Sequence, residues 1–283
     1  MKIIFIFLLV TSLFGSDFVH KEKFIYHLKN IHKTKKKNYA KNVIQGISFI
    51  NKDKFITTQT IARNHSLLIN IFSFKNNKPR VEFTQEIAYD SHAQDLSFYM
   101  LDEKLHLITT GKKWQGVVDL VWVKNKFHLY KEHKLEIGKN TPSLCENKFY
   151  LITKANNSIY IYRFEDIKNQ KKVSPRALFS FVLAKKQREK SQWLQGLAMK
   201  DNYIYALSGD NTLKGKKYLY IYDSFGKVEA HFELFAGKSR AEKDGKKWEM
   251  EGLTFLNNKL YTTVMTGFNG KNKKYLYQIL YIK

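Results

Sequence analysis

Trp248-Glu249-Met250-Glu251-Gly252-Leu253-Thr254-Phe255 ends in a five-residue formula that recurs upstream. The formula is an amide or carboxylate, a small or polar residue, Leu or Ile, a small residue, then a large apolar one. Gln195-Gly196-Leu197-Ala198-Met199, Gln94-Asp95-Leu96-Ser97-Phe98 and Gln45-Gly46-Ile47-Ser48-Phe49 all obey it. A degenerate copy, Pro142-Ser143-Leu144-Cys145, fills the remaining gap, with Ser143 set against the glycines. From Gly46 to Asp95 is 49 residues, then 48 to Ser143, 53 to Gly196 and 56 to Gly252. Five units of about fifty residues read as a propeller or a similar array.

Within the units, short β-branched or aromatic runs alternate with Asn, Asp, Lys and Pro turns, the signature of strands. Unit one offers residues 46–50, 54–59, 67–74 and 80–88, and unit two 96–100, 104–110, 117–123 and 127–130. Unit three has a weak first strand at Leu144 followed by 148–153, 158–164 and 177–183, while unit four gives 197–199, 203–207, 218–222 and 228–234. Unit five stops after three runs, at 253–256, 259–264 and 275–281. Phe24 to Leu28 is a strand without a partner in its own unit. A ring must not leave an open sheet edge, so this strand is expected to complete the last blade. The fold expected is all-β: a five-bladed β-propeller of four-stranded blades, closed by an N-terminal strand, over a single domain at 16–283. The charged segments Lys185–Lys190 and Ala236–Lys247 read as interblade loops.

Residues 1–15 pair Lys2 with the apolar run Ile3–Val10 and a small-residue exit at Gly15-Ser16. That pattern is a secretory signal, too short to span a membrane, and the expected location is periplasmic or extracellular. Cys145 is the only cysteine, which excludes an intramolecular disulfide and a cysteine zinc site. The formal net charge is +24, a balance that favours polyanionic partners. Only six of the 49 basic residues are arginine, so base readout is poorly served. Nucleic acid is disfavoured as the ligand, and an anionic envelope glycopolymer or an envelope protein is preferred, bound by a monomer.

In a propeller the first strand of each blade lines a central channel. The formula residues Gln45, Gln94, Asp95, Ser143, Gln195 and Glu251 are therefore expected to gather at one mouth, with His92 beside them. The same groups could instead satisfy the crowded backbone of the inner strands. Trp193, Trp248 and Trp114 offer aromatic platforms for a sugar, or packing between blades. Gln45, Gln94, Ser143, Trp193, Gln195, Trp248 and Glu251 form the candidate ligand-binding set. His92, Asp95 and Glu251 are the candidates for acid–base chemistry if the chain is a metal-assisted hydrolase of phosphoesters or glycans. No cofactor is assigned; calcium would call on Asp95 and Glu251, the anionic members of the ring.

The Gln-Gly-Ile/Leu starts at Gln45 and Gln195, the segment Ser91-His92-Ala93-Gln94-Asp95-Leu96, and Glu249-Met250-Glu251-Gly252-Leu253 followed by Lys259-Leu260-Tyr261 resemble the helveticin J-like secreted proteins. The resemblance covers most of residues 40 to 265. It implies a five-bladed propeller associated with envelope targeting, bacteriocin-like activity or glycopolymer binding. The segment Glu251-Gly252-Leu253 is also similar to calcium-dependent apyrase propellers, from which the glutamines elsewhere in the ring depart.

Overall fold

Five antiparallel sheets of four strands each make up the computed structural model, which describes residues 18–28, 44–61, 66–76, 78–169, 175–189, 192–245, 247–268 and 271–282. Residues 1–15, read above as a secretory signal, lie outside the described residues. Blade one runs through β2 (Ile44–Asn51), β3 (Lys54–Ile61), β4 (Ser66–Lys75) and β5 (Lys78–Ile87). Blade two comprises β6 (Ser97–Leu101), β7 (Lys104–Thr110), β8 (Val117–Val123) and β9 (Lys126–His133). Blade three holds β10 (Asn140–Leu144), β11 (Tyr150–Ala155), β12 (Ser158–Arg163) and β13 (Phe179–Val182). Blade four consists of β14 (Trp193–Lys200), β15 (Tyr203–Gly209), β16 (Lys217–Asp223) and β17 (Val228–Leu234). Blade five contains β18 (Lys247–Leu256), β19 (Lys259–Phe268) and β20 (Lys271–Ile282).

The fourth strand of blade five is β1 (Phe18–His27), antiparallel to β20 from Phe18↔Ile282 to His27↔Tyr275. The leftover N-terminal strand thus fills the last blade, as the open-edge argument requires. Contacts of β18 with β2 and with β14 carry the ring past this seam.

Local chemistry explains the hairpins. Asp102-Glu103 joins β6 to β7 and Lys124-Asn125 joins β8 to β9, each with both residues at positive φ. Two-residue turns of that handedness match the twist of the flanking strands. The two charged interblade segments are more ordered than loops. Residues Lys185–Arg188 form a 3-10 turn, and Lys238–Asp244 form the helix α2. A first short helix, α1 (Phe164–Lys168), buries Phe164 and Ile167. None of these has an amphipathic repeat long enough to announce itself. Among the described residues no helix is long and apolar enough to cross a membrane.

The hub is narrow, and the second position of the formula explains why. A Cβ on Gly46 would stand 2.5 Å from Thr58 Oγ1 and 2.8 Å from the Asp95 carbonyl carbon. One on Gly196 would lie 2.9 Å from the Gly252 carbonyl carbon, and Gly252 itself has φ +65° against Gly46 and Ile47. The inner strands therefore touch backbone to backbone, making a waist in the channel. Gly46→Ala is expected to cost about 2 kcal/mol by overpacking. In calorimetry that lowers Tm by about 4–8 °C; an unchanged Tm would show that the waist yields freely.

Candidate functional site

The waist separates two cavities. The lower, of about 230 Å³, is lined by the fourth position of each formula: Ser48, Ser97, Ala198 and Thr254, joined by Ser143. Ser143 Oγ is 3.3 Å from Ser97 Oγ, and the Leu144 amide donates to Ser97 Oγ at 2.9 Å. These bonds correct the alignment of the third unit. Ser143 matches the serines at 48 and 97 rather than the glycines, so it lies at the opposite end from the mouth where it was expected. The residue matching Gln45 and Gln94 is Asn140, three residues before Ser143, and that spacing is legible once the serines are aligned.

The upper cavity, of about 720 Å³, collects Gln45, Gln94, Gln195 and Glu251, together with Asn140 and Thr141. It also takes in His92, Trp114 and Trp193. His92 stacks on Trp114 with ring centroids 3.4 Å apart. Burial pushes the imidazole down to about 3, leaving a neutral ring and a weak base. Trp193 keeps 54% of its surface exposed at the start of β14. Lys139, Lys154 and Arg188 add positive charge to the wall. Nothing in the sequence distinguishes those three from the other basic residues.

Trp248 is not on this rim. It is 2% exposed, its Nε1 donates to Ala236 O at 2.8 Å, and Lys217 Nζ sits 4.4 Å from the ring centre. As the second residue of β18 it points into the packing between blades four and five, whereas Trp193, first in β14, faces outward. Of the two readings open for these tryptophans, interblade packing holds for Trp248.

Asp95 sits at the waist. Its φ is +53°, its amide donates to Gln45 O at 3.1 Å, and its Oδ2 accepts from Leu197 N at 3.0 Å, across the hub from blade four. Burial raises its carboxyl well above the ordinary range, opposed by the amides of Leu197 and Leu253. The carboxylate is thus engaged in tying blades together. Thr109 Oγ1 and Thr110 Oγ1 fix the same loop by donating to Asp95 O and Gln94 O, both at 2.7 Å.

Glu251 is also buried, and its carboxyl is raised well above the usual value by burial first, then by the charges of Glu249 and Asp95. Glu249 was missed by the sequence reading, although alternation along a strand puts positions 249 and 251 on one face. Lys247, two residues earlier still, pairs with Glu249 Oε2 at 2.9 Å. Gln94 Nε2 donates to Leu194 O at 2.9 Å, which orients the Gln94 amide beside Gln195. With the Gln195 amide turned so that both its ends are satisfied, its Nε2 donates to the Glu251 carboxyl at 3.3 Å; in the other orientation only a protonated Glu251 could donate to Gln195 Oε1. Among the described residues no three His, Cys, Asp or Glu side chains converge as a metal group, and Asp95 and Glu251 face the neighbours just named.

The folded chain keeps a proton on Glu251 at pH values where the unfolded chain has released it. Stability from this group is therefore whole below the ordinary carboxylate pKa and is lost as pH rises towards the raised one. Glu251→Gln is expected to match the parent in acid and to melt progressively higher than it as pH rises from about 5 to 8. Parallel melting series check this, and a difference independent of pH would show that Glu251 is ionised in the fold.

A third polar cluster lies outside the hub, in blade two. Asp119 Oδ1 is 3.0 Å from His106 Nδ1, and Asp119 also accepts from Tyr99 OH. All three side chains are buried, a satisfied polar knot inside a sheet.

Comparison with known proteins bears on the same ring. The family model for the phage five-bladed β-propeller receptor-binding platform domain matches residues 123–281. The tail fiber of Staphylococcus aureus phage P68 superposes with a TM-score of 0.71 at 15% identity, over 95% of this chain and 54% of that one. This chain therefore spans about half the length of that fiber. A hypothetical protein from Leishmania major gives a TM-score of 0.45 at 8% identity, over 84% of this chain and 85% of that one. The Dos1 propeller gives 0.38 at 9%, over 84% and 54%. No curated protein matches the chain. The family match runs over more than half of the sequence, from the end of β8 through blades three, four and five, so the chain belongs to the phage five-bladed β-propeller receptor-binding platform domain family.

Proposed function

We propose that this chain is an exported binding module that holds an anionic cell-surface glycopolymer in the upper cavity. The observation that carries this reading is the wall of that cavity: an exposed Trp193 beside Lys139, Lys154 and Arg188, above a floor of amides. An indole face packs against the apolar face of a sugar ring, the cations attract phosphate or carboxylate, and the amides take hydroxyl groups. Receptor binding in the family's description and the helveticin J-like resemblance both support a partner on a cell surface. The +24 charge adds long-range attraction to such a partner.

Trp193→Ala is expected to weaken binding to anionic envelope polysaccharide about tenfold, equal to 1.4 kcal/mol, without moving Tm. Affinity of the parent should fall by a similar factor or more as salt rises from about 0.05 to 0.5 M, where charge attraction is screened. Binding by surface plasmon resonance reads both. Affinity indifferent to Trp193→Ala and to Lys154→Ala would remove the cavity from the proposal.

A further inference from the structure

The wall of the upper cavity is basic, and its floor is built from carboxyls. Lys139, Lys154 and Arg188 stand on the wall and outnumber its one acid, Glu189, while Glu249 and Glu251 reach the cavity from β18. Asp95 lies close enough beneath to act on Glu251. Against these three carboxyls stand Lys247, which is paired with Glu249, and Lys217, which also acts on Glu249 but is itself held by Asp210. The floor is thus short of positive charge, and in the free protein a proton held on Glu251 supplies part of it.

A second observation is independent of the acids. Gln45 Oε1 and Thr141 Oγ1 are buried without a hydrogen-bond partner, on side chains 7% and 5% exposed, and both residues line the cavity. They come from blades one and three, so groups from three blades face the same space. An amide oxygen can only accept. A buried acceptor left unpaired costs about 1–3 kcal/mol, and a ligand bearing N–H groups would remove that cost.

We propose that the cavity recognises a zwitterionic repeat unit, in which a free ammonium group of an amino sugar enters the floor while the neighbouring phosphate or carboxylate stays at the wall. The ammonium supplies the missing positive charge to Glu251 and donates to Gln45 Oε1 and Thr141 Oγ1. Trp193 covers the ring that joins the two charged ends. This inference rests on the reading of the upper cavity as a glycopolymer site and adds the chemical class of the group it selects.

The probes are heparosan, whose glucosamine nitrogens are N-acetylated, and the same polymer after N-deacetylation, each titrated against the full chain by calorimetry. Both keep one carboxylate per disaccharide. Deacetylation cancels the polymer's net charge, so attraction to a basic protein alone favours the acetylated form. The expected result is the reverse: the deacetylated polymer binds at least about tenfold tighter, 1.4 kcal/mol. Glu251→Gln, which keeps shape and replaces a protonated carboxyl, should cut that preference to about twofold or less, while Lys154→Ala weakens both polymers. Equal binding of the two polymers, tighter binding of the acetylated one, or binding of neither overturns the ammonium inference. The glycopolymer reading then stands if envelope polysaccharide binding still depends on Trp193, and falls if it does not.

Discussion

Removing Phe18–Leu28 is expected to abolish the cooperative fold and leave an aggregating chain. Phe18 and Leu28 are buried members of two different core clusters, and each such side chain contributes about 1.5–3 kcal/mol. The backbone ladder of β1 along β20 and the bond from Leu28 N to Lys274 O are lost with them, at about 0.5–1.5 kcal/mol for each bond. Together these losses are on the order of 5–10 kcal/mol, the size of a domain's whole stability. The truncation also bares β20, with buried Tyr275, Leu276 and Tyr277 along it, as an edge open to pairing with other chains. Size-exclusion chromatography with a thermal melt checks the outcome, and a synthetic peptide of residues 18–28 should restore the parent's elution volume and melt. A truncated chain that melts as the parent does would mean that the ring closes without its seam strand.

Trp248→Ala is expected to destabilise the protein by about 3–5 kcal/mol, as large aromatic truncations in a core do. The ring shares a core cluster with Leu234, Ala236, Met250 and Val264, and the ammonium of Lys217 lies over it, 4.4 Å from its centre. That lysine is 1% exposed, and its ammonium is held by Asp210 Oδ1 at 3.1 Å, Thr212 O at 3.1 Å and Gly215 O at 2.9 Å. Losing the indole leaves a void beside a buried charge and frees the Ala236 carbonyl. Urea unfolding reads the loss as a lower midpoint. The paired comparison is the informative part: Trp193→Ala weakens the ligand and spares the fold, whereas Trp248→Ala does the opposite at any temperature where it remains folded. An undiminished midpoint for Trp248→Ala would contradict the packing seen here.

Much of the hub could be read from local pattern. Gln45, Gln94, Gln195 and Glu251 stand at one height because each opens the same five-residue formula at the inner strand of its blade, and a fifty-residue period preserves that relation. Ser143 departs from that relation. The misalignment was two residues, which keeps a side chain on the same face of its strand because strand alternation has period two. It moves the side chain along the channel by two strand residues, however, from above the waist to below it. Only the bonds between Ser143 and Ser97 fix that height.

The amino-acid sequence by itself determined the number of blades, the use of an N-terminal strand as the seam and the polar character of the channel, because repeats, turns and alternation are written in neighbouring residues. Tertiary structure alone decided that Asp95 bridges blades two and four, that Trp193 faces solvent while Trp248 is enclosed, and that Glu249 joins Glu251 beneath a basic wall. Those outcomes depend on what the opposing blade presents, about a hundred residues away from Asp95 to Leu197, and no local pattern carries that information.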